Sequence, residues 1–140
     1  MAPSPPLDVV LAFVEQINRH DVDRICGLMT DDHELIDSLG SVVRGLPAMR
    51  QAWIGYFYLI PDYRIAVSHS FAAGDSVAVF GSASGTYAPG GAFEKGKSWC
   101  MPLAIRGTVR DDRVARWEVY ADNEPVRNII SALGGTPRTP

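Results

Sequence analysis

The hydrophobic period of this 140-residue chain switches from helical to alternating at Pro61-Asp62, and that change limits the folds open to it. Before it, apolar residues recur at steps of three and four; after it, they recur at every second position. Leu7, Val10, Leu11, Val14 and Ile17, separated by Asp8, Glu15, Gln16 and Arg19, predict an amphipathic helix over 7–19. Asp21 supplies an N-cap for a second helix, 22–29, with Val22, Ile25, Cys26 and Met29 on its inner side. Leu46-Pro47 opens a third, whose stripe is Met49, Trp53, Tyr56, Phe57 and Ile60, and Pro61 stops it. Beyond the switch, Tyr63, Ile65, Val67, His69 and Phe71 alternate with Arg64, Ala66, Ser68 and Ser70, and Ala73-Gly74-Asp75 marks a hairpin. The strand from Ser76 to about Tyr87 is rich in small residues from Gly81 to Gly85, as in strands that bend or bulge. A long strand follows over 97–109, with Trp99, Met101, Leu103 and Ile105 on one face. After a hairpin at Arg110-Asp111-Asp112, a last strand (113–121) puts Trp117 and Val119 on one face and Glu118, Tyr120 and Asp122 on the other. A short helix, 125–133, ends at Gly134. Helices followed by strands mean α+β, a cone-shaped curved antiparallel β-sheet packed on three α-helices.

One stretch breaks this pattern. From Leu28 to Gly45 the chain reads LMTDDHELIDSLGSVVRG, and Asp37 lies in phase with Leu35, where a strand would face an apolar residue inward. A buried carboxylate needs a partner or a purpose. As a functional group, Asp37 would be a general base desolvated by a pocket of Val14, Ile17, Leu35, Tyr56, Met101, Leu103 and Trp117. As a structural one, Asp37-Ser38-Leu39-Gly40 is a turn in which the carboxylate bonds its own backbone. His33 shares the phase of Leu35 and Asp37 but is expected near solvent at the strand start.

Composition narrows the classes. Forty-six per cent hydrophobic and 21% charged residues describe a single globular domain, expected over 7–133 with disordered ends at 1–6 and 134–140. A formal charge of -3 gives no basic footprint for nucleic acid. No apolar run approaches a membrane span, the start lacks a signal peptide's pattern, and two cysteines, Cys26 and Cys100, fit a reducing cytoplasm without a disulfide. No ligand spacing suggests a metal, and no glycine-rich turn between strand and helix suggests a phosphate loop, so no cofactor is expected.

The opening VLAFVEQINRHDVDRICGLMTDD, the step VVRGLPAMRQAW and the closing hairpin RDDRVARWEVYAD resemble the nuclear transport factor 2-like superfamily, in its SnoaL-like and ketosteroid isomerase-like branch. The resemblance covers about residues 7–133. It implies a pocket between helices and sheet, and a homodimer paired through the outer sheet face. In the ketosteroid isomerases it implies a general base at Asp37. The oxyanion-holding tyrosine of the first helix falls at or beside Phe13, its aspartate partner near Ile105 and a supporting tyrosine near Trp53, so that hole is absent. The arginine and aspartates of the epoxide hydrolases would fall at Gly81, Ala83 and Val119, which excludes that triad. The acid/base aspartate of the SnoaL cyclases has one counterpart, Asp122, on the outward side.

A developing enolate needs donors aimed at its oxygen. Candidates are the indoles of Trp53 and Trp99, the hydroxyls of Tyr56 and Tyr63, and His69, the second candidate catalytic residue beside Asp37. Phe13, Val14, Ile17, Leu35, Met101, Leu103 and Trp117 complete the expected apolar wall. Two functions are open at this point: a cofactor-independent isomerase, cyclase or lyase acting on a small hydrophobic carbonyl compound, or a non-catalytic binding protein for a hydrophobic small molecule. The outer face, with Ala78, Phe80, Cys100, Pro102, Ala104 and Tyr120, is apolar enough to pair with a second copy.

Overall fold

The computed structural model describes residues 4–132. The expectations for residues 1–3 and 133–140, including the stop at Gly134, lie outside the described residues. Helices α1 (Pro6–Asn18) and α2 (Val22–Gly27) form a hairpin, with Asp21 capping α2 by accepting from the Arg24 N–H at 3.1 Å. Strands β1 (Met29–Ile36) and β2 (Val42–Arg44) follow, then α3 (Leu46–Leu59). Four long strands come next: β3 (Arg64–Ala73), β4 (Ser76–Thr86), β5 (Ser98–Arg110) and β6 (Arg113–Tyr120), before α4 (Glu124–Ser131). Met29, read in sequence as the end of α2, is instead the first residue of β1.

The six strands make one sheet in the order β2-β1-β6-β5-β4-β3. The sheet is mixed, because β1 pairs parallel to β6 while the other neighbours pair antiparallel. This arrangement, a curved α+β sheet on helices, is the expected fold class. Alternation along β5 is complete, with Trp99, Met101, Leu103 and Ile105 buried and Cys100, Pro102 and Arg106 exposed. The buried face packs on α1 through Val10, Phe13, Val14 and Ile17 and on α3 through Met49, Trp53 and Tyr56. Phe13 meets Trp117 edge to face at 4.9 Å. Such a core excludes water from large aromatic surfaces and is the main source of stability.

The edge strand β3 is tied to the helical hairpin by polar side chains. Asn18 donates from Nδ2 to the Ile65 carbonyl and accepts from the Ile65 N–H, each at 2.8 Å. His20 Nε2 lies 2.7 Å from the Tyr63 carbonyl, and its ring stacks on Phe57 at 4.1 Å. These bonds occupy backbone groups that an edge strand would otherwise expose.

A bulge in β3 overturns part of the expected alternation. Val67 pairs with Gly81 but His69 pairs with Phe80, so Ser68 is an extra residue and every later side chain changes face. His69 and Phe71, expected inward, therefore join Phe80 and Ala78 on the outer face.

Candidate functional site

Between α3 and the β1–β2 hairpin lies a cavity of about 630 Å³ lined by Leu35, Asp37, Ser41, Val42, Val43, Gln51, Ala52, Gly55, Tyr56, Tyr58 and Leu59. That volume lies in the range of small-molecule sites, which are mostly apolar with a few polar groups. Leu35 and Tyr56, 1% and 5% exposed, form its inner wall; exposed Val42, Gln51 and Tyr58 form its rim.

Asp37 follows the last residue of β1, where the strand turns into β2. Its Oδ1 accepts from the N–H groups of Leu39 and Ser41, both at 2.9 Å, and its own N–H donates to the Ser41 carbonyl at 3.0 Å. The turn expected of Asp37-Ser38-Leu39-Gly40 is thus present, with Gly40 at a positive φ of 84°. The same turn leaves Oδ2 without a hydrogen bond among the described residues, on a side chain that lines the cavity. Ser38 accepts from Asn123, the N-cap residue of α4, which joins the turn to the start of that helix.

Tyr56 lines the cavity from α3. Its ring packs edge to face on Tyr63 at 4.8 Å and on Trp53 at 6.3 Å. Its hydroxyl makes no hydrogen bond among the described residues, and burial, followed by the neighbouring Tyr63, raises its pKa well above the usual tyrosine value. The group is therefore a protonated donor at neutral pH.

The other expected wall residues lie elsewhere. Phe13, Val14, Ile17, Trp53, Tyr63, Trp99, Met101, Leu103 and Trp117 are buried in the core cluster and are not among the residues lining this cavity. The pocket expected against the sheet's centre is occupied by these side chains packed on one another, and the open volume lies to one flank. Of the expected site, Leu35, Asp37 and Tyr56 come together. Among the described residues the buried indole nitrogens of Trp53 and Trp99 have no hydrogen-bond partner, and burial raises the pKa of the Tyr63 hydroxyl. His69 is exposed on the outer face, with Nδ1 3.2 Å from Ser68 Oγ, and does not reach the cavity. Asp122 is exposed and accepts from the Glu124 N–H at 2.9 Å, as a helix-start turn.

The expectation of solvent at His33 is overturned: its side chain is fully buried, 6.1 Å from the Phe13 ring. Nδ1 lies 2.6 Å from the Val114 carbonyl, so Nδ1 carries the proton, and Nε2 is buried with no hydrogen-bond partner among the described residues. The polar members of the cavity that the sequence did not single out are Ser41, Gln51 and Tyr58; no period marks them, because they sit at a turn and on a helix's outer side. Among the described residues no group of three His, Cys, Asp or Glu could hold a metal ion, and no helix is long and apolar enough to cross a membrane. Cys26, buried, and Cys100, exposed, are both free.

Residues 10–117 match the family model of the SnoaL-like domain. No curated protein matches the chain by sequence. Among solved structures, a protein of ketosteroid isomerase-like fold from Catenulispora acidiphila, in complex with trimethylamine, is 17% identical with a TM-score of 0.72, covering 94% of this chain and 97% of its own. A candidate SnoaL-like polyketide cyclase from Shewanella putrefaciens is 13% identical with a TM-score of 0.75, covering 92% and 98%. A candidate polyketide cyclase from Xanthomonas campestris is 20% identical with a TM-score of 0.74, covering 84% and 90%. At these identities the likeness is one of fold.

Proposed function

The chain belongs to the SnoaL-like domain family, and from that premise we propose that its α3–β1–β2 cavity takes a small, largely apolar carbonyl compound and moves a proton on it. One observation carries this reading: Asp37, with one oxygen unengaged among the described residues, and Tyr56, whose hydroxyl makes no hydrogen bond among them, line the same cavity. Asp37 Oδ2 takes a proton from carbon next to the carbonyl, the electron pair moves onto the carbonyl oxygen, and Tyr56 donates a hydrogen bond to that oxygen. Return of the proton to another carbon completes an isomerisation; attack of the enolate on a second carbonyl of the same molecule, with the proton passing from Asp37 to the new alkoxide oxygen, completes a cyclisation. Neither route needs a cofactor to balance. The candidate polyketide cyclases of the same fold support substrates of this kind.

A second reading, binding without turnover, is favoured by a different observation. Asp37 Oδ1 is held by the turn's own N–H groups, which accounts for an aspartate there without catalysis. One experiment separates the two. A thermal-shift screen of ketones, quinones and polyketides finds a ligand; product formation is then compared for the native chain, Asp37→Asn and Tyr56→Phe. Asparagine keeps the Oδ1 acceptor and hence the turn. The expected loss in turnover for Asp37→Asn is about 100- to 10,000-fold, with binding little changed. Full turnover by Asp37→Asn would remove the base from the reading, and a ligand that binds without product supports the second.

Two further proposals accompany this one. The outer sheet face pairs with a second copy of the chain, supported by the exposure of Phe71, Phe80 and Tyr120. The protein works in the cytoplasm, supported by its two free thiols.

A further inference from the structure

Gly55 sits inside α3, four residues before its end at Leu59, where glycine weakens a helix relative to alanine. The usual reasons for a glycine are missing. Its φ is not positive, it is not at the helix end, and a Cβ built on it meets nothing within 4 Å. No part of the described protein requires that spot to be bare. The spot faces the cavity: at about 100° per residue, Gly55 lies in the middle of the arc made by Gln51, Ala52, Tyr56, Tyr58 and Leu59. Beside it, Tyr56, 5% exposed, brings a hydroxyl that makes no hydrogen bond among the described residues.

We propose that Gly55 is a specificity-determining residue, at which a bound molecule lies directly on the backbone of α3. With alanine at 52 and no side chain at 55, the helix presents a low strip, while Val42 and Val43 form the facing wall. Such a slot favours a flat ring system over a puckered one of the same carbon count, because a puckered ring loses contact on one wall or collides with the other. The ligand's oxygen is directed to Tyr56 at the slot's inner end. This inference rests on the reading that the cavity is the binding site.

Its test uses 2-naphthol as a flat probe and decahydro-2-naphthol as its puckered counterpart, with affinities measured by tryptophan fluorescence and calorimetry. The native chain is expected to prefer the flat probe by about tenfold, the scale on which small shape differences count in an apolar pocket. Gly55→Ala is expected to raise the unfolding temperature by a few degrees, as helix propensity requires, while weakening 2-naphthol about tenfold. A more stable variant with weaker binding is an outcome that general damage to the fold does not produce. Val42→Trp, on the opposite wall, is the control for location. Binding of 2-naphthol abolished by Val42→Trp but unchanged by Gly55→Ala would overturn the role of Gly55 and leave the cavity reading standing. Binding indifferent to both variants, or no binding of either probe by the native chain, would overturn both.

Discussion

Among the described residues the His33 ring makes one hydrogen bond, and its origin lies in a fault of the sheet. Between Met29–Val114 and Glu34–Arg116 the β1–β6 register slips, and the imidazole reaches the Val114 carbonyl near that break. Burial lowers its pKa below the ordinary 6.5, against the opposing effects of the Val114 bond and the nearby Asp32 and Glu34 carboxylates. A base whose folded pKa is depressed binds its proton more weakly in the native state, so the unfolded chain gains protons first as pH falls. Stability is therefore expected to be fully present above about pH 6.5 and to decline below it, by no more than about 1.4 kcal/mol per pH unit for one proton. Denaturant unfolding between pH 7.5 and 5 checks this: His33→Gln, which keeps a side-chain donor, is expected to remove part of the decline. An unchanged pH slope in that variant would mean that other groups carry it. Residue scale is also where the sequence was hardest to read. The period of two put His33 and Asp37 on the inner side together, but one fills a break in the ladder and the other closes a turn. Neither circumstance has a periodic signature.

At the scale of elements, the strands were legible because burial alternates along them, as β5 illustrates from Trp99 to Ile105. The bulge at Ser68 was not, since one inserted residue leaves composition unchanged while reversing the face of all that follow. Its counterpart is Gly81 in β4, where a Cβ would stand 1.9 Å from the Ala66 carbonyl oxygen. That obstacle is backbone and cannot turn aside. At Gly85 a Cβ would meet the Ile60 Cγ2 methyl at 2.3 Å, a side chain able to move. Gly81→Ala is thus expected to cost about 3 kcal/mol or more, at the upper end of overpacking penalties, and Gly85→Ala about 1–2 kcal/mol. Urea titrations of both variants test the ranking, and equal costs would indicate that β3 shifts freely over β4. The cavity was equally hidden at this scale. Leu35 shares its alternation with Met101, Leu103 and Trp117, and Tyr56 its helical stripe with Met49 and Trp53, and spacing reports burial without reporting which buried side chains leave a gap between them.

Over the whole molecule, the two faces of the sheet differ in what they need. The inner face is covered by α1 and α3; the outer one carries Phe71 at 61%, Phe80 at 44% and Tyr120 at 57% exposure, with Phe71 and Phe80 edge to face at 6.2 Å. Beside these aromatics, Glu118 is nearly buried on the outward side. Burial pushes its carboxyl up, but the Arg106 hydrogen bonds, the Tyr120 hydroxyl and the charges of Arg106 and Arg116 outweigh that and hold it below the usual range. An apolar patch bordered by a satisfied polar network is consistent with the pairing proposed above: its aromatics would gain from losing water, and its charges are already paired before they lose it. Light scattering on the native chain is expected to give about twice the 15.2 kDa chain mass. Phe71→Asp with Phe80→Asp is expected to halve it with circular dichroism unchanged, because two carboxylates at the centre of the contact would have to be desolvated without partners. Since the cavity lies at the opposite end of the strand order, against β1 and β2, the monomeric variant should bind ligand as the native chain does. Loss of binding together with loss of the dimer would instead tie the site to the assembly.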